Sequence, residues 1–83
     1  MNKELTEIIS DLRKQEPHRV YTYNDGSVII TRETKKDNTK YRLTTAFNPS
    51  GNRSLDKAYG YEEIEVIIDN EVIDDLIIST TLK

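Results

Sequence analysis

Seven carboxylates fall within fourteen residues of this chain: Glu62, Glu63, Glu65, Asp69, Glu71, Asp74 and Asp75. Carboxylates set this close have three chemical uses: ligating a cation, moving a proton, or presenting a negative field to a cationic partner. The first is disfavoured because a calcium loop of the EF-hand type needs a glycine at its sixth position, and no glycine follows Gly60. Zinc lacks its donors, since His18 is the only histidine and there is no cysteine. No metal or cofactor is expected. Acids with neighbours of the same sign read as a solvated face rather than a proton-transfer pair. His18, between Pro17 and Arg19, reads as a surface residue and not a general base. There is no nucleophile elbow, phosphate-binding loop or dinucleotide fingerprint. The chain reads as a non-enzyme, and the negative field is the use that remains.

A cluster of opposite sign precedes these acids. Arg32, Lys35, Lys36, Lys40 and Arg42 surround Tyr41. Cations with an interleaved aromatic can hold phosphates and stack a base. The same lysines also suit a solvated hairpin edge, where they deter strand pairing. From residue 32 to 57 there are seven basic against three acidic side chains, a net of +4. From residue 58 to 83 there are seven acidic against one basic, a net of −6. The negative tail opposes non-specific affinity for nucleic acid. Protein binding through the acidic residues is therefore the leading expectation, and nucleic-acid binding through the Arg32–Arg42 hairpin is the alternative. A structural or oligomeric interaction module is a third reading.

Those side chains must be positioned by a small scaffold. Eighty-three residues make one domain, 1–83, with a modest core. Without cysteine there are no disulfide staples. The N-terminus lacks an apolar leader, and no run approaches the roughly 18 apolar residues of a membrane span. A cytoplasmic protein without membrane association, monomeric or homodimeric, is the expectation.

Leu5, Ile8, Ile9 and Leu12 lie at i, i+3, i+4 and i+7, which predicts a helix from Asn2 to Gln15. Asn2 can cap its start, and Pro17 ends it. Arg19 to Arg32 reads as a hairpin about Asn24-Asp25-Gly26. A two-residue Asp25-Gly26 loop sets Tyr23 against Val28 and Tyr21 against Ile30, and this register is favoured. A loop that includes Asn24 shifts the register by one. Thr34 to Thr39 reads as a polar loop closing on Asp37-Asn38, and Lys40 to Phe47 as a third strand. Tyr21, Tyr23, Val28, Ile30, Leu43 and Phe47 then face the helix, with Thr22, Thr31, Glu33, Arg42 and Thr44 on the wet side. Asn48 to Ser54 reads as a loop, and Ser54 as a cap for one helical turn through Ala58.

The tail admits a helix, with Ile64, Ile68, Val72 and Leu76 at every fourth residue, but is read as two strands, Glu62 to Ile68 and Val72 to Thr81, turning near Asp69-Asn70-Glu71. Eight of the fifteen residues from Ile64 to Ile78 are isoleucine or valine, which favour strands. Asp74-Asp75 fits neither register well, and a bulge or a short helical turn there would cure the misfit. The resulting fold class is α+β, a helix on an antiparallel sheet of four or five strands in the order α-β-β-β-β-β. The expected core is Leu5, Ile8, Ile9, Leu12, Val28, Ile30, Leu43, Ile64, Val66 and Ile77.

Short length, absence of cysteine, acidity and this element order together resemble the small phage-encoded inhibitors of host defence, the anti-CRISPR and DNA-mimic proteins. The likeness spans the whole chain and lies in composition; no motif carries it, and the basic middle departs from a pure DNA mimic. The resemblance implies an inhibitor that docks an acidic face on a basic, nucleic-acid-handling partner protein.

Overall fold

The computed structural model describes residues 3–24, 26–48 and 59–79. One helix, α1 (Lys3–Lys14), is followed by β1 (Arg19–Thr22), β2 (Val28–Lys36), β3 (Thr39–Asn48), β4 (Tyr59–Ile68) and β5 (Glu71–Ser79). The strands form a single antiparallel sheet in sequence order, so every strand pairs with its chain neighbour. The α-β-β-β-β-β order follows from the helical stripe and the tight turns.

The stripe works as its spacing predicts. Ile8, Ile9 and Leu12 are buried and pack with Leu43 of β3 and Ile64 of β4, while Leu5, Tyr41 and Ile78 border the cluster. The helix end is closed locally and by the sheet. The Gln15 backbone N–H donates to the Leu12 carbonyl at 3.1 Å. Arg32 Nε donates to the Gln15 carbonyl at 2.9 Å, so a strand residue satisfies a carbonyl at the helix terminus. On the other flank, Arg13 grips Glu62 of β4 through Nη2–Oε1 (2.6 Å) and Nε–Oε2 (3.3 Å).

Two hairpins turn on the same dipeptide. Asp37-Asn38 joins β2 to β3 with Asp37 at φ 57°, and Asp69-Asn70 joins β4 to β5 with φ of 53° and 66°. Asp and Asn tolerate the left-handed conformation that such two-residue loops require. The Asp37-Asn38 loop puts Val28 opposite Phe47 and Leu43 opposite Arg32, the expected register. Thr34, Lys35 and Lys36 continue β2 instead of entering a loop, because this tight turn leaves them partners in Tyr41, Lys40 and Thr39.

The first hairpin corrects the favoured register. Tyr21 lies opposite Ile29 and Thr22 opposite Val28. The Tyr23 N–H donates to the Ser27 carbonyl and the Gly26 N–H to the Tyr23 carbonyl, both at 2.9 Å, with Gly26 at φ 89°. The loop thus includes Asn24, and a left-handed glycine closes it. One residue of slip moves Tyr21 to the face away from α1 and brings Thr22 to the helix side.

The tail is two strands, with β4 beginning at Tyr59, earlier than expected. Gly60 is buried opposite Phe47, and a β-carbon there would collide with the Ala46 carbonyl oxygen, so only glycine lets β3 and β4 close at this point. The register shifts twice along β5: Ile73 and Ile78 are extra residues opposite the Val66/Ile67 and Glu62/Glu63 steps. These irregularities flank Asp74-Asp75, where the misfit predicted one. The loop read at Asn48–Ser54 lies, apart from Asn48, outside the described residues, as do the Ser54 cap and the Asn2 cap.

Five strands span about 24 Å at their usual spacing, whereas one helix covers about 10 Å. α1 therefore shields only part of one face. Leu43, Ile64 and their register partners define the helix face. On the other, open face the alternation places Tyr21, Ile29, Thr31, Glu33, Lys40, Arg42, Thr44, Glu63, Glu65 and Ile67. The core expected at Leu5, Val28, Ile30 and Val66 is only half-buried. Ile77 is not core at all: opposite Glu63 it faces away from the helix and is exposed, while Ile67, on the open face, is buried.

Candidate functional site

The seven tail carboxylates do not share one face. Period-two alternation sends Glu62 to the helix side, where Arg13 holds it, and sends Glu63 and Glu65 to the open face. The step at Ile73 shifts the phase of β5, so Asp74 lies opposite Val66 on the helix side while Asp75 lies opposite Glu65 on the open side. Asp69 sits in the β4–β5 turn and Glu71 starts β5 opposite Ile68. What the fold does gather is a trio, Glu63, Glu65 and Asp75, on the open face of β4 and β5.

The trio behaves as a like-charge cluster. Partial burial, then the charges of Glu65 and Asp75, raise the Glu63 pKa above the ordinary carboxylate value. Glu65 is balanced on one side only: its Oε1 accepts from Arg42 Nη1 at 3.2 Å, while its other register partner is Asp75. Arg42 also donates through Nε to Glu33 Oε2 at 3.1 Å. A ladder Glu33–Arg42–Glu65–Asp75 therefore crosses four strands and ends, among the described residues, with negative charge that no ion pair balances at the sheet edge. On the other face the hydrogen bond to Glu62 raises the Arg13 pKa, against the opposing effect of burial.

The basic cluster is dispersed by the same alternation. Arg32 is committed to the Gln15 carbonyl, Tyr41 borders the core, and Arg42 is held between Glu33 and Glu65. Lys40 approaches Glu33 at 4.0 Å. His18 Nε2 lies 3.7 Å from the same carboxylate. Lys35 and Lys36 are exposed beside the Asp37-Asn38 turn. A hollow of about 340 Å³ on the open face takes in Arg19, Tyr21, Thr31, Glu33 and Arg42, whose charged groups already partly neutralise one another.

The apolar side chains of β5 are the feature that sequence reasoning missed. Val72 is 49 % exposed, Ile73 56 %, Leu76 42 % and Ile77 49 %. Of these, only Ile77 stood in the expected core. They are exposed because β5 is an outer strand, with Val72 and Ile77 on the face away from α1 and Leu76 beyond its reach on the helix face. The legible signal was the supply of a single helix for a sheet of four or five strands.

Among the described residues no group of three or more metal-ligating side chains converges, and no helix is long and apolar enough to cross a membrane. Comparison of the chain with protein-family models, with curated proteins and with solved structures gives no match.

Proposed function

We propose that this protein is a small non-enzymatic binding domain that engages another protein, one with a basic surface, through β5 and the adjoining carboxylates of β4. The observation that carries the reading is the edge strand itself: four large aliphatic side chains in water beside Glu63, Glu65, Asp74 and Asp75. Among the described residues β5 holds four of the eight large exposed apolar side chains, the others being Val20, Tyr21, Tyr23 and Phe47, and such a grouping on one strand marks an interaction surface. From Tyr59 to Ser79 there is no lysine or arginine, so the surface attracts cations only. Such a field steers association, and desolvation of the aliphatics holds the complex. The compositional resemblance to phage-encoded inhibitors supports a nucleic-acid-handling protein as the partner class, since such proteins carry basic channels.

Wild-type and variant baits in lysate from the native cell test this. Leu76→Ser with Ile77→Ser is expected to lose the captured protein at all salt concentrations. Glu63→Gln, Glu65→Gln, Asp74→Asn and Asp75→Asn together are expected to slow its association at low salt, with the difference shrinking as salt rises. Equal capture by all three baits overturns the proposal.

A second reading rests on Lys35 lying directly opposite Lys40 beside the exposed Lys36, which leaves cationic charge at the β2–β3 turn. A gel shift with single- and double-stranded nucleic acid at low salt, abolished by Lys35→Ser and Lys36→Ser, is what that reading requires.

A further inference from the structure

Resting on the protein-binding reading, we infer that the partner contributes an extended, cationic segment that adds as a sixth strand to the outer edge of β5. The two edges of the sheet are built differently. β1 has four residues and starts at Arg19, two residues after Pro17, so it is short and its entry carries a cation and a proline. Natural edges are blunted in these ways. β5 has nine residues and holds no proline, lysine or arginine. Its blunting devices are the extra residues Ile73 and Ile78 and the acids Glu71, Asp74 and Asp75, which deter an anionic or apolar strand but not a cationic one. Between the extra residues, Asp74 to Ile77 pairs with β4 without interruption. In an antiparallel sheet every second residue of an outer strand turns its N–H and C=O away from its neighbour. That uninterrupted run is the place for an incoming strand to start.

Charge selects the occupant. A second copy pairing antiparallel along the run Asp74–Ile77 sets Asp74 opposite Ile77 and Asp75 opposite Leu76, so on each face two carboxylates become diagonal neighbours and no cation in either strand offsets their repulsion. A segment in which two lysine or arginine residues are followed by two aliphatic residues meets the opposite situation. Asp75 and Ile77 lie on the open side and Asp74 and Leu76 on the helix side, so each face of the strand offers one carboxylate and one aliphatic group. Cationic and apolar side chains on either face of the added strand therefore find partners, and the backbone supplies the register.

The probe is a fluorescent peptide repeating Lys-Lys-Val-Val, as long as β5, and a twin methylated on every backbone nitrogen. The twin keeps charge and side chains but cannot donate to the edge. Anisotropy is expected to show the parent bound and the twin weakened about tenfold or more, as befits the loss of backbone hydrogen bonds. Amide exchange is expected to slow within Asp74–Ile77 when the parent is present. Asp74→Asn with Asp75→Asn is expected to weaken the parent and flatten its salt dependence. Equal binding of parent and twin overturns strand addition while leaving a side-chain docking surface, and hence the protein-binding reading, intact. Absence of parent binding overturns the cationic strand, and the lysate comparison then judges the broader reading by itself. Concentration-dependent protection of the same amides without peptide, with a dimer in sedimentation, overturns it in favour of a second copy.

Discussion

The hairpins β2–β3 and β4–β5 turn on the same Asp-Asn dipeptide and carry opposite charge, yet they differ in how much of their charge is engaged within the fold. In β2–β3 both strands have a neighbour on each side, β2 over Val28–Thr31. Its cations are drawn inward: Arg32 to the helix terminus and Arg42 to Glu33 and Glu65. In β4–β5 one strand has a neighbour on one side only, and neither the carboxylates nor the aliphatics of β5 are used up. Place in the sheet, as well as composition, decides which charges are engaged and which stay exposed.

The largest effect expected from this contrast is in the core. Leu43→Ala removes a fully buried side chain of β3 and should cost about 2–5 kcal/mol, whereas Leu76→Ala on β5 should cost under about 1 kcal/mol. Urea denaturation measures both, and equal losses would mean that β5 is covered. Gly60→Ala comes next. Forcing a β-carbon against the Ala46 carbonyl should destabilise by about 1–3 kcal/mol, the usual range for overpacking. Arg42→Gln should cost about 1 kcal/mol, because Glu33 and Glu65 each lose a charge-assisted hydrogen bond in a half-buried setting, while Lys36→Gln should change nothing measurable.

The smallest effect is the most diagnostic of the edge. The Glu63 pKa is raised in the folded state, so over the carboxylate range the folded form holds the proton more tightly than the unfolded one. Stability from this group is present below its unfolded pKa and is lost as pH rises through the folded value. Glu63→Gln should therefore raise Tm slightly at neutral pH and make no difference in acid. A lowered Tm at neutral pH would mean that a cation balances the trio.

Much of this architecture could be read from residue spacing. The helix stripe, the Asp37-Asn38 register and the two-strand tail follow from periodicity and turn chemistry, and the Asp74-Asp75 misfit announced an irregular strand. Two things could not be read. The Asn24-Asp25-Gly26 loop allowed two registers, and pairing tyrosines with aliphatics was a weaker influence than a left-handed Gly26. Nor does any local pattern say over which strands a single helix will rest, and that choice left Leu76 in water, while the shifts in β5 put Ile77 on the open face. The acids were legible as a group but not as a site, because alternation and the two shifts in β5 decide which of them meet.

Strand order has a consequence for how the chain assembles. Each hairpin closes between sequence neighbours, so the sheet can form stepwise, with little chain entropy lost in each closure. The helix has no such local partner: Leu12 waits for Leu43 and Ile64. During synthesis at about 5–20 residues per second, that interval lasts about 3–10 seconds. Over that time α1 is an amphipathic segment too short to be stable alone. The helix is therefore secured only after β3 and β4 have been made, and its docking onto β4 is the event that turns a growing meander into a domain.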